Sequence, residues 1–447
     1  MYKTVILWLL TAVPFPAQEP LSLAAAVRQA LAHNPSIAAA AAGASAAEAR
    51  IGEAHSGRLP KVNYSESFAR SDNPVFVFSS LLTQHQFAAE NFSLGPLNRP
   101  DALNNFQSQL SVDQVLYDGG RTKQAERAAR LTHDISGEEG RRARMDVLAG
   151  VARAYYGSLL AQANLEAAQE AMRSAEADLK RAESIRAAGM STDVDVLSIR
   201  VHLAEVQEQR IRRAADLDVA RAALNDALGL PLDVTHSLTT RLEPADLPDI
   251  SLAEYERGAV AERPEARQVK FGASLAESQI AAARTALLPE VGVRAAFEED
   301  RQRFIDRGGA NWLAAVSMQW NLFNGFADRA RIAAATQGLR HAEAERERAG
   351  SGIRLEVRRA YADLRAAQQR IEVAKAAAAE AQESLRITQN RYQAGLGGIT
   401  DLLRTESAAL DSRTRYLAAV HDQRVAAVVL ELAAGRLSEG SEALRGE

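Results

Sequence analysis

The chain has 447 residues, 25% of them charged, and a formal net charge of −4. This near balance of charge excludes the strongly basic class of proteins, so we predict no nucleic-acid partner. Cysteine is absent, which excludes disulfide bonds, thiol catalysis and a lipid anchor on an N-terminal cysteine. Aromatic residues make up only 5% of a chain rich in alanine, and this composition is typical of long, closely packed helices.

Residues 1–17 have the pattern of a secretory signal peptide. Lys3 precedes a short apolar run from Val5 to Val13, and this run is shorter than the roughly 20 residues that span a bilayer. We predict cleavage after Ala17, although Phe15 departs from the small residue expected near such a site; an uncleaved membrane anchor is the alternative. The sequence has no other candidate transmembrane helix, so the mature chain is predicted to be either a soluble exported protein or a β-barrel membrane protein.

The rest of the sequence contains an internal duplication. Two sets of markers recur: Ser22-Leu23, Asn34-Pro35 and Leu59-Pro60 return as Ser251-Leu252, Arg263-Pro264 and Leu288-Pro289, and Leu116-Tyr117-Asp118-Gly119 returns as Leu322-Phe323-Asn324-Gly325. The spacing between the copies changes once, so the first copy carries about 23 additional residues between Pro60 and Leu116. A repeat this long indicates a duplicated structural unit.

Both copies are predicted to have the same order of elements: a helix broken at a proline, two strands, a very long helix and a shorter returning helix. The first copy, residues 21–230, is predicted to have strands at 61–70 and 105–117 and helices at 121–188 and 192–228. Residues 231–249 are predicted to be a linker. The second copy, residues 250–435, is predicted to have strands at 290–297 and 311–322 and helices at 325–394 and 399–434, followed by a flexible tail at 436–447.

The clearest strand pattern runs from Trp312 to Trp320. Apolar residues alternate with Ser317 and Gln319, so one face is apolar and has a tryptophan at each end. A strand packed on a soluble core would give the same alternation. Aromatic residues at both ends also suit a membrane barrel, in which Trp312 and Trp320 would lie at the two membrane interfaces.

The long helices carry a seven-residue repeat of apolar residues, which predicts a coiled-coil seam. In the second copy the repeat reads Val357, Leu364, Ile371, Ala378, Leu385 and Tyr392. At about 1.5 Å per residue each long helix spans about 100 Å and each returning helix about 55 Å, so two short helices stacked end to end would match one long helix. Four strands cannot close a barrel, since single-chain outer-membrane barrels begin at about eight. Membrane strands would therefore have to be pooled from several chains.

In these features the chain resembles the TolC-like outer membrane efflux proteins. The resemblance covers residues 21–435 and depends on the duplication and on four motifs: Leu-Tyr-Asp-Gly-Gly at 116–120, Leu-Phe-Asn-Gly at 322–325, Arg-Tyr-Gln-Ala-Gly at 391–395 and Asp-Leu-Leu at 401–403. It implies an α+β membrane protein. The expected assembly is a homotrimer in outer-membrane lipid, whose β-barrel of four strands per chain is continued into the periplasm by a long α-helical coiled-coil barrel.

The resemblance also implies a function. The chain would be the outer-membrane exit duct of a tripartite efflux or type I secretion system, passively conducting substrates from an inner-membrane pump of the RND or ABC type. A periplasmic adaptor, or membrane fusion protein, would dock at the turns between the long and returning helices. By resemblance to the family, this contact is assigned to Gly189, Met190, Gly395 and Leu396. The two glycines are also expected to cap the long helices.

A carboxylate follows each of these turns. Asp195 forms a capping box with Thr192 and suits the helix dipole, which is a structural role. Gly398 replaces the capping threonine in the second copy, so Asp401 has lost that partner and is the stronger functional candidate. By resemblance, Asp401 matches a ring of carboxylates, one from each chain, at the constriction of the tunnel, where it would favour cations.

The rest of the predicted gate departs in part from the family pattern. Asp195 and Tyr392 match members of a hydrogen-bonding network that holds the mouth shut. Arg404 stands where a second acid is expected, and Gly397 stands where a basic residue is expected. These departures predict a weaker lock and a mixed-charge constriction, formed by Asp401 and Arg404, that is less selective for cations.

No enzyme, cofactor or metal site is predicted. The eight histidines are scattered, no H-E-x-x-H motif or close acid pairing occurs, and the glycine-rich turns lack a P-loop lysine. The alternative function is a soluble periplasmic coiled-coil scaffold. The paired strands and the tryptophan-bounded strand argue against that alternative.

Overall fold

The computed structural model describes residues 19–189, 191–246 and 250–445. The predicted signal peptide at 1–17 and the predicted contact residue Met190 lie outside the described residues. The chain divides into two units: one consists of the residues up to Ala42, Glu138–Arg267 and Arg348–Glu447, and the other of Gly43–Gly137 and Gln268–Glu347. We call the first the helical unit and the second, which contains the main sheet, the strand unit.

The first repeat begins with a short strand, β1 (Glu19–Leu21), and the helices α1 (Leu23–His33) and α2 (Pro35–His55). Ser22 caps α1 by accepting a hydrogen bond from the backbone N–H of Ala25, and Pro35 separates the two helices because it disfavours a helical conformation at the preceding residue. There follow β2 (Lys61–Ser71), α3 (Pro74–Thr83), α4 (Leu94–Asn98), β3 (Leu103–Tyr117), the 67-residue helix α5 (Arg121–Ala187) and the returning helix α6 (Asp193–Leu228).

The second repeat has the same order without the two short helices. Its elements are α7 (Leu252–Glu262), α8 (Pro264–Thr285), β5 (Glu290–Arg301), β6 (Gly309–Gln319), the 67-residue helix α9 (Ala327–Gln393) and the returning helix α10 (Ile399–Ala433); β4 (His236–Leu238) lies between the repeats. The sequence placed the end of β5 at Phe297, where the apolar alternation stops. The strand continues to Arg301 because its backbone still pairs with β3 there.

In the strand unit, β2, β3, β5 and β6 form one antiparallel sheet in that order. The register pairs Tyr64 with Leu110, Leu110 with Phe297, and Phe297 with Trp312. Because side chains alternate between the faces of a sheet, these residues share one face, which we call the apolar face. The other face, which we call the polar face, includes Asn63, Gln107, Gln109, Asp113, Arg294, Glu298, Asn311 and Ser317. Within the described residues, β2 and β6 each have one free edge.

The core of the helical unit forms around a buried tyrosine on α5. The hydroxyl of Tyr155 donates a hydrogen bond to the backbone oxygen of Leu21 at 2.7 Å and accepts one from the backbone N–H of Thr240 at 3.2 Å. These bonds hold the parallel pair of β1 and β4. The prediction that residues 231–249 are only a linker was therefore wrong in part, because a strand of three residues is too short to give a periodic signal.

The C-terminal segment is also packed against the helical unit. Leu437, Ala443 and Leu444 are buried in its core, and residues Glu442–Leu444 form a 3-10 turn. The prediction of a flexible tail was wrong for the described residues up to 445, because burial of these three apolar side chains offsets the entropy of ordering the segment. Among the helices that the structure describes, none is long and apolar enough to cross a membrane.

Candidate functional site at the helix tips

The turns that join α5 to α6 and α9 to α10, which we call the helix tips, are built on glycines. Gly189 and Gly395 have φ angles of +75° and +69°, a conformation that residues with a Cβ rarely adopt. Each glycine N–H caps its helix, by donating to the carbonyl oxygen of Arg186 at 2.8 Å and of Tyr392 at 3.0 Å, respectively. Leu396 follows and is exposed. Three of the four predicted adaptor-contact residues thus lie at the tips, and the contact itself stays a prediction.

Asp195 lies in the first turn of α6 and is held by its own tip. Its carboxylate accepts hydrogen bonds from the Ser191 hydroxyl at 2.8 Å and the Thr192 backbone N–H at 3.2 Å, and its own N–H donates to the Thr192 hydroxyl at 3.3 Å. The bond from Ser191, followed by those from Thr192, lowers the pKa of Asp195. The carboxylate is therefore charged near neutral pH and serves as a helix cap.

Asp401 has no such cap. The residue before α10 is Gly398, which offers no side chain to the helix start. The carboxylate of Asp401 lies 3.4 Å from a guanidinium nitrogen of Arg404, and the two side chains are 63% and 77% exposed. Their exposure leaves both charges available to a neighbouring copy or to solute. The predicted mixed-charge pair is thus present in one chain, while its role at a constriction stays a prediction.

Tyr392 packs where the four long and returning helices meet. It borders an apolar cluster formed by Ala182, Val196, Ile199, Ile399 and Leu402. Burial raises the pKa of the Tyr392 hydroxyl, and the carboxylates of Asp195 and Asp178 raise it further. The structure therefore brings Tyr392 close to Asp195, although the hydrogen bonds described for Asp195 go to its own turn.

Two further carboxyl groups near the tips were not found from the sequence. Asp178 on α5 and Glu406 on α10 are both buried. A ring nitrogen of His202, on α6, lies 3.4 Å from one oxygen of Glu406, and the hydroxyl of Ser174 donates to the other at 3.1 Å. We call Asp178, His202 and Glu406 the buried triad. It joins three helices through polar groups, and it corrects the view that no histidine is paired with an acid.

The pKa values of the two carboxyl groups in the buried triad are shifted in opposite directions. Burial, and next the hydrogen bond and charge of Glu406, raise the pKa of Asp178 to about 7. Burial also opposes ionisation of Glu406, but hydrogen bonds from His202, Asp178 and Ser174 outweigh it and lower the pKa of Glu406. Asp178 therefore keeps the proton that the pair shares, and Glu406 is the charged partner of His202.

The sequence did contain a weak signal for the buried triad. Ala175, Asp178 and Ala182 are spaced by three and four residues, so they lie on one face of α5, and both alanines are fully buried. An acid on a buried face needs a partner from another helix. That partner, Glu406, is distant in sequence and follows no motif. Within the described residues, no group of three or more histidine, cysteine or acidic side chains is arranged to hold a metal ion.

Of the two predicted interface tryptophans, Trp312 lies within β6, three residues after its start, and Trp320 lies just beyond its end. Trp312 is on the apolar face and is 80% exposed. Trp320 follows the last residue of β6, and its indole N–H donates to the backbone oxygen of Leu287 at 3.1 Å. The tryptophans thus bracket the exposed apolar side chains of Val316 and Met318.

The chain is similar to known proteins over most of its length. The protein family described as outer membrane efflux protein matches residues 26–230 and 257–436. The chain is 29% identical over 349 residues to protein CyaE of Bordetella pertussis, covering 76% of this chain and 73% of that protein. It is 23% identical over 388 residues to the alkaline protease secretion protein AprF of Pseudomonas aeruginosa, covering 85% and 77%. The solved CmeC outer membrane channel of Campylobacter jejuni has the same fold, with a TM-score of 0.79 at 18% identity, covering 94% of this chain and 87% of that chain.

Proposed function

Because this chain belongs to the outer membrane efflux protein family and is located in the outer membrane, extending into the periplasm, we propose that it is a passive exit duct made of three copies. The duct accepts substrates from an inner-membrane pump through a periplasmic adaptor. Members of this family are channel and transport proteins rather than enzymes. The duct therefore supplies a path, and the energy for transport comes from the pump.

The observation that carries the proposal is the sheet of the strand unit. On its apolar face Trp312, Val316 and Met318 are 80%, 74% and 62% exposed, and exposing such side chains to water costs roughly 25 cal/mol per Å². On its polar face Gln107 and Gln109 both donate to Glu298. The apolar face carries charge at the end where Arg301 pairs with Glu66. A sheet with exposed apolar side chains over the rest of one face, and hydrogen-bonded and charged groups on the other, suits a barrel wall between lipid and an aqueous lumen.

The open edges of this sheet favour a trimer. An unpaired strand edge cannot lie in lipid, where each unsatisfied backbone group costs several kcal/mol. Strands β2 and β6 are the two edges, and they run in opposite directions because three antiparallel pairings separate them. The edge of one copy can therefore pair antiparallel with the edge of the next. Three copies of a four-stranded sheet reach a strand number at which outer-membrane barrels close.

The helix tips fit the periplasmic mouth of such a duct. Gly189 and Gly395 turn the chain sharply, and Leu396 offers an exposed apolar contact to an adaptor. Asp401 and Arg404 are the exposed charges that a threefold arrangement would gather into a ring. We propose that this ring forms the constriction, and that Asp195 and Tyr392 help to hold the mouth closed. AprF is named for protein secretion, and the family is named for efflux; a passive duct serves either kind of pump.

Pairing of the strand edges can be tested directly because the chain contains no cysteine. We would combine Asn63→Cys on β2 with single cysteines stepped along the polar face of β6 from Asn311 to Gln319. At one or two positions, mild oxidation in outer membranes should give a covalent species of three chains.

The matched control moves the first cysteine to an inner strand. Gln109→Cys on β3 points to the polar face but has β2 and β5 on either side. With the same β6 cysteines it should give no covalent trimer. If oxidation of Asn63→Cys with every β6 cysteine left only single chains, the proposed barrel would be contradicted.

A further inference from the structure

The two repeats differ most in how their strand pairs are joined. In the second repeat, residues 302–308 connect β5 to β6. In the first repeat, residues 72–102 connect β2 to β3 and contain α3, a 3-10 turn at Ala89–Phe92 and α4. We call residues 72–102 the outer insertion. It accounts for the additional residues of the first copy and lies outside the strands and helix tips that the proposed function involves.

The outer insertion is folded rather than loose. Asn73 caps α3 by accepting hydrogen bonds from the backbone N–H groups of Val75 and Phe76, and Pro74 occupies the first helical position, where its missing N–H costs nothing. A second set of contacts is aromatic: the ring of Phe87 lies 4.7 Å from that of Phe78 and 5.1 Å from that of Phe92. The cap fixes the start of α3, and the aromatic contacts hold α3 against the segment that returns to β3.

The C-terminal end of α3 is anchored to the sheet by buried hydrogen bonds. The side-chain amide of Gln84, which is 2% exposed, donates to the backbone oxygen of Asn104 at 3.0 Å and to the side-chain oxygen of Asn105 at 2.8 Å. Asn105 in turn donates to Asp300 at 2.6 Å. From β6, the side-chain amide of Asn311 donates to the backbone oxygen of Thr83 at 3.1 Å.

These anchors identify the face that α3 covers. Asn105, Asp300 and Asn311 all belong to the polar face, because they occupy the same alternation as Gln107, Glu298 and Ser317 on their strands. They lie at the end of the sheet where β3 and β6 begin and β5 ends. The helix α3 contacts all three of these strands, so it crosses the polar face at that end.

A glycine in β6 permits this close approach. A Cβ atom on Gly309 would lie 2.0 Å from the backbone oxygen of Thr83, far inside any allowed contact. A side chain at this position would therefore push the end of α3 away from the sheet. Gly292, on the same face of β5, is different, because its nearest neighbour would be a backbone oxygen at 3.6 Å, an ordinary contact.

We propose that the outer insertion is a second constriction of the duct, in which α3 narrows the outer mouth and limits the size of the solutes that pass it. The inference rests on the proposed function, because the polar face is the lumen wall only if the barrel forms. Three copies of α3, one from each chain, would then project over the lumen at the outer end.

The test uses the absence of native cysteine to place one thiol inside the duct. Ser317→Cys lies on the polar face of β6, and Val316→Cys lies on the apolar face of the same strand. Whole cells are treated with membrane-impermeant maleimides of increasing size. We expect the smallest reagent to label Ser317→Cys and the largest to fail. Replacing residues 72–102 by the sequence of 302–308 should abolish this size limit, so that large and small reagents label at the same rate.

A point substitution guards against misfolding of the shortened chain. Gly309→Val, in the full-length Ser317→Cys background, should also admit the larger reagents. The inference would be overturned if maleimides of all sizes labelled Ser317→Cys equally while the outer insertion is unaltered. It would also be overturned if the size limit persisted in both the shortened chain and the Gly309→Val chain. Failure of the proposed function has a different signature: Val316→Cys would then be labelled as readily as Ser317→Cys.

Discussion

Replacing Asp178 by asparagine should remove a pH-dependent loss of folding stability near the helix tips. Burial and the adjacent Glu406 raise the pKa of Asp178 from 3.8 to about 7, so the folded protein binds this proton more tightly than the unfolded chain does. The resulting cost in stability is absent below about pH 4, grows as the pH rises towards about 7, and is complete above that pH. A pKa raised this far corresponds to ~4 kcal/mol at most.

Other groups around Asp178 set the size of the effect in practice. Arg181 and His202 favour the charged form of Asp178, and Glu406 is stabilised as an anion by His202. These groups remain in Asp178→Asn, and the asparagine amide can still donate to Glu406. The variant therefore removes the titration and leaves a donor beside Glu406.

Amide hydrogen exchange of α5 and α6 around Asp178 and His202 is the suitable assay, because it reports local opening without requiring reversible unfolding of the whole assembly. After correction for the intrinsic pH dependence of exchange, protection in the wild type should fall by up to ~1,000-fold between about pH 4 and pH 8. In Asp178→Asn it should change little and exceed the wild type at the higher pH. Asp193→Asn, an exposed acid at the same tip, should behave like the wild type. An equal fall in Asp178→Asn and wild type would refute the reasoning.

Two further predictions concern the gate and the core. Arg404→Ala should change the reversal potential of reconstituted channels in the direction of greater cation preference, because it leaves Asp401 without its 3.4 Å partner. An unchanged cation preference would contradict the mixed-charge constriction. Tyr155→Phe should lower stability by about 1–3 kcal/mol, since it leaves the buried N–H of Thr240 without its acceptor and the Leu21 oxygen with only its bond from the N–H of Thr239. Tyr156 is adjacent and equally buried, and in thermal unfolding Tyr156→Phe should lose less stability than Tyr155→Phe. Equal losses of stability would contradict the role given to the hydrogen bonds of Tyr155.

Local signals in the sequence predicted the long and returning helices and the four strands of the main sheet within a few residues. The long helices follow from a heptad repeat that Ser158 interrupts only in the first copy, and their ends follow from Gly189 and Gly395, whose positive φ angles stop a helix. The capping box of Asp195 could likewise be read directly, because its partner Thr192 is three residues away. Features of this kind depend on neighbours along the chain.

The features that the sequence did not reveal depend on distant partners. The pairing of β1 with β4, the packing of Leu444 in the core and the joining of Asp178 to Glu406 each bring together residues that no periodicity connects. The outer insertion was seen only as extra length. Its position over the polar face depends on Gln84, an unremarkable residue in sequence that is buried by its bonds to β3.

We propose that three copies of this chain form one continuous duct. Single-channel recording tests it most directly, with covalently closed trimers from the strand-edge cysteine pairs inserted into planar bilayers. We predict discrete conductance steps from the cross-linked three-chain species, and larger steps when Asp195→Ala and Tyr392→Phe loosen the tips. A cross-linked trimer that inserts into the bilayer and conducts no ions, with or without the tip substitutions, would contradict the account.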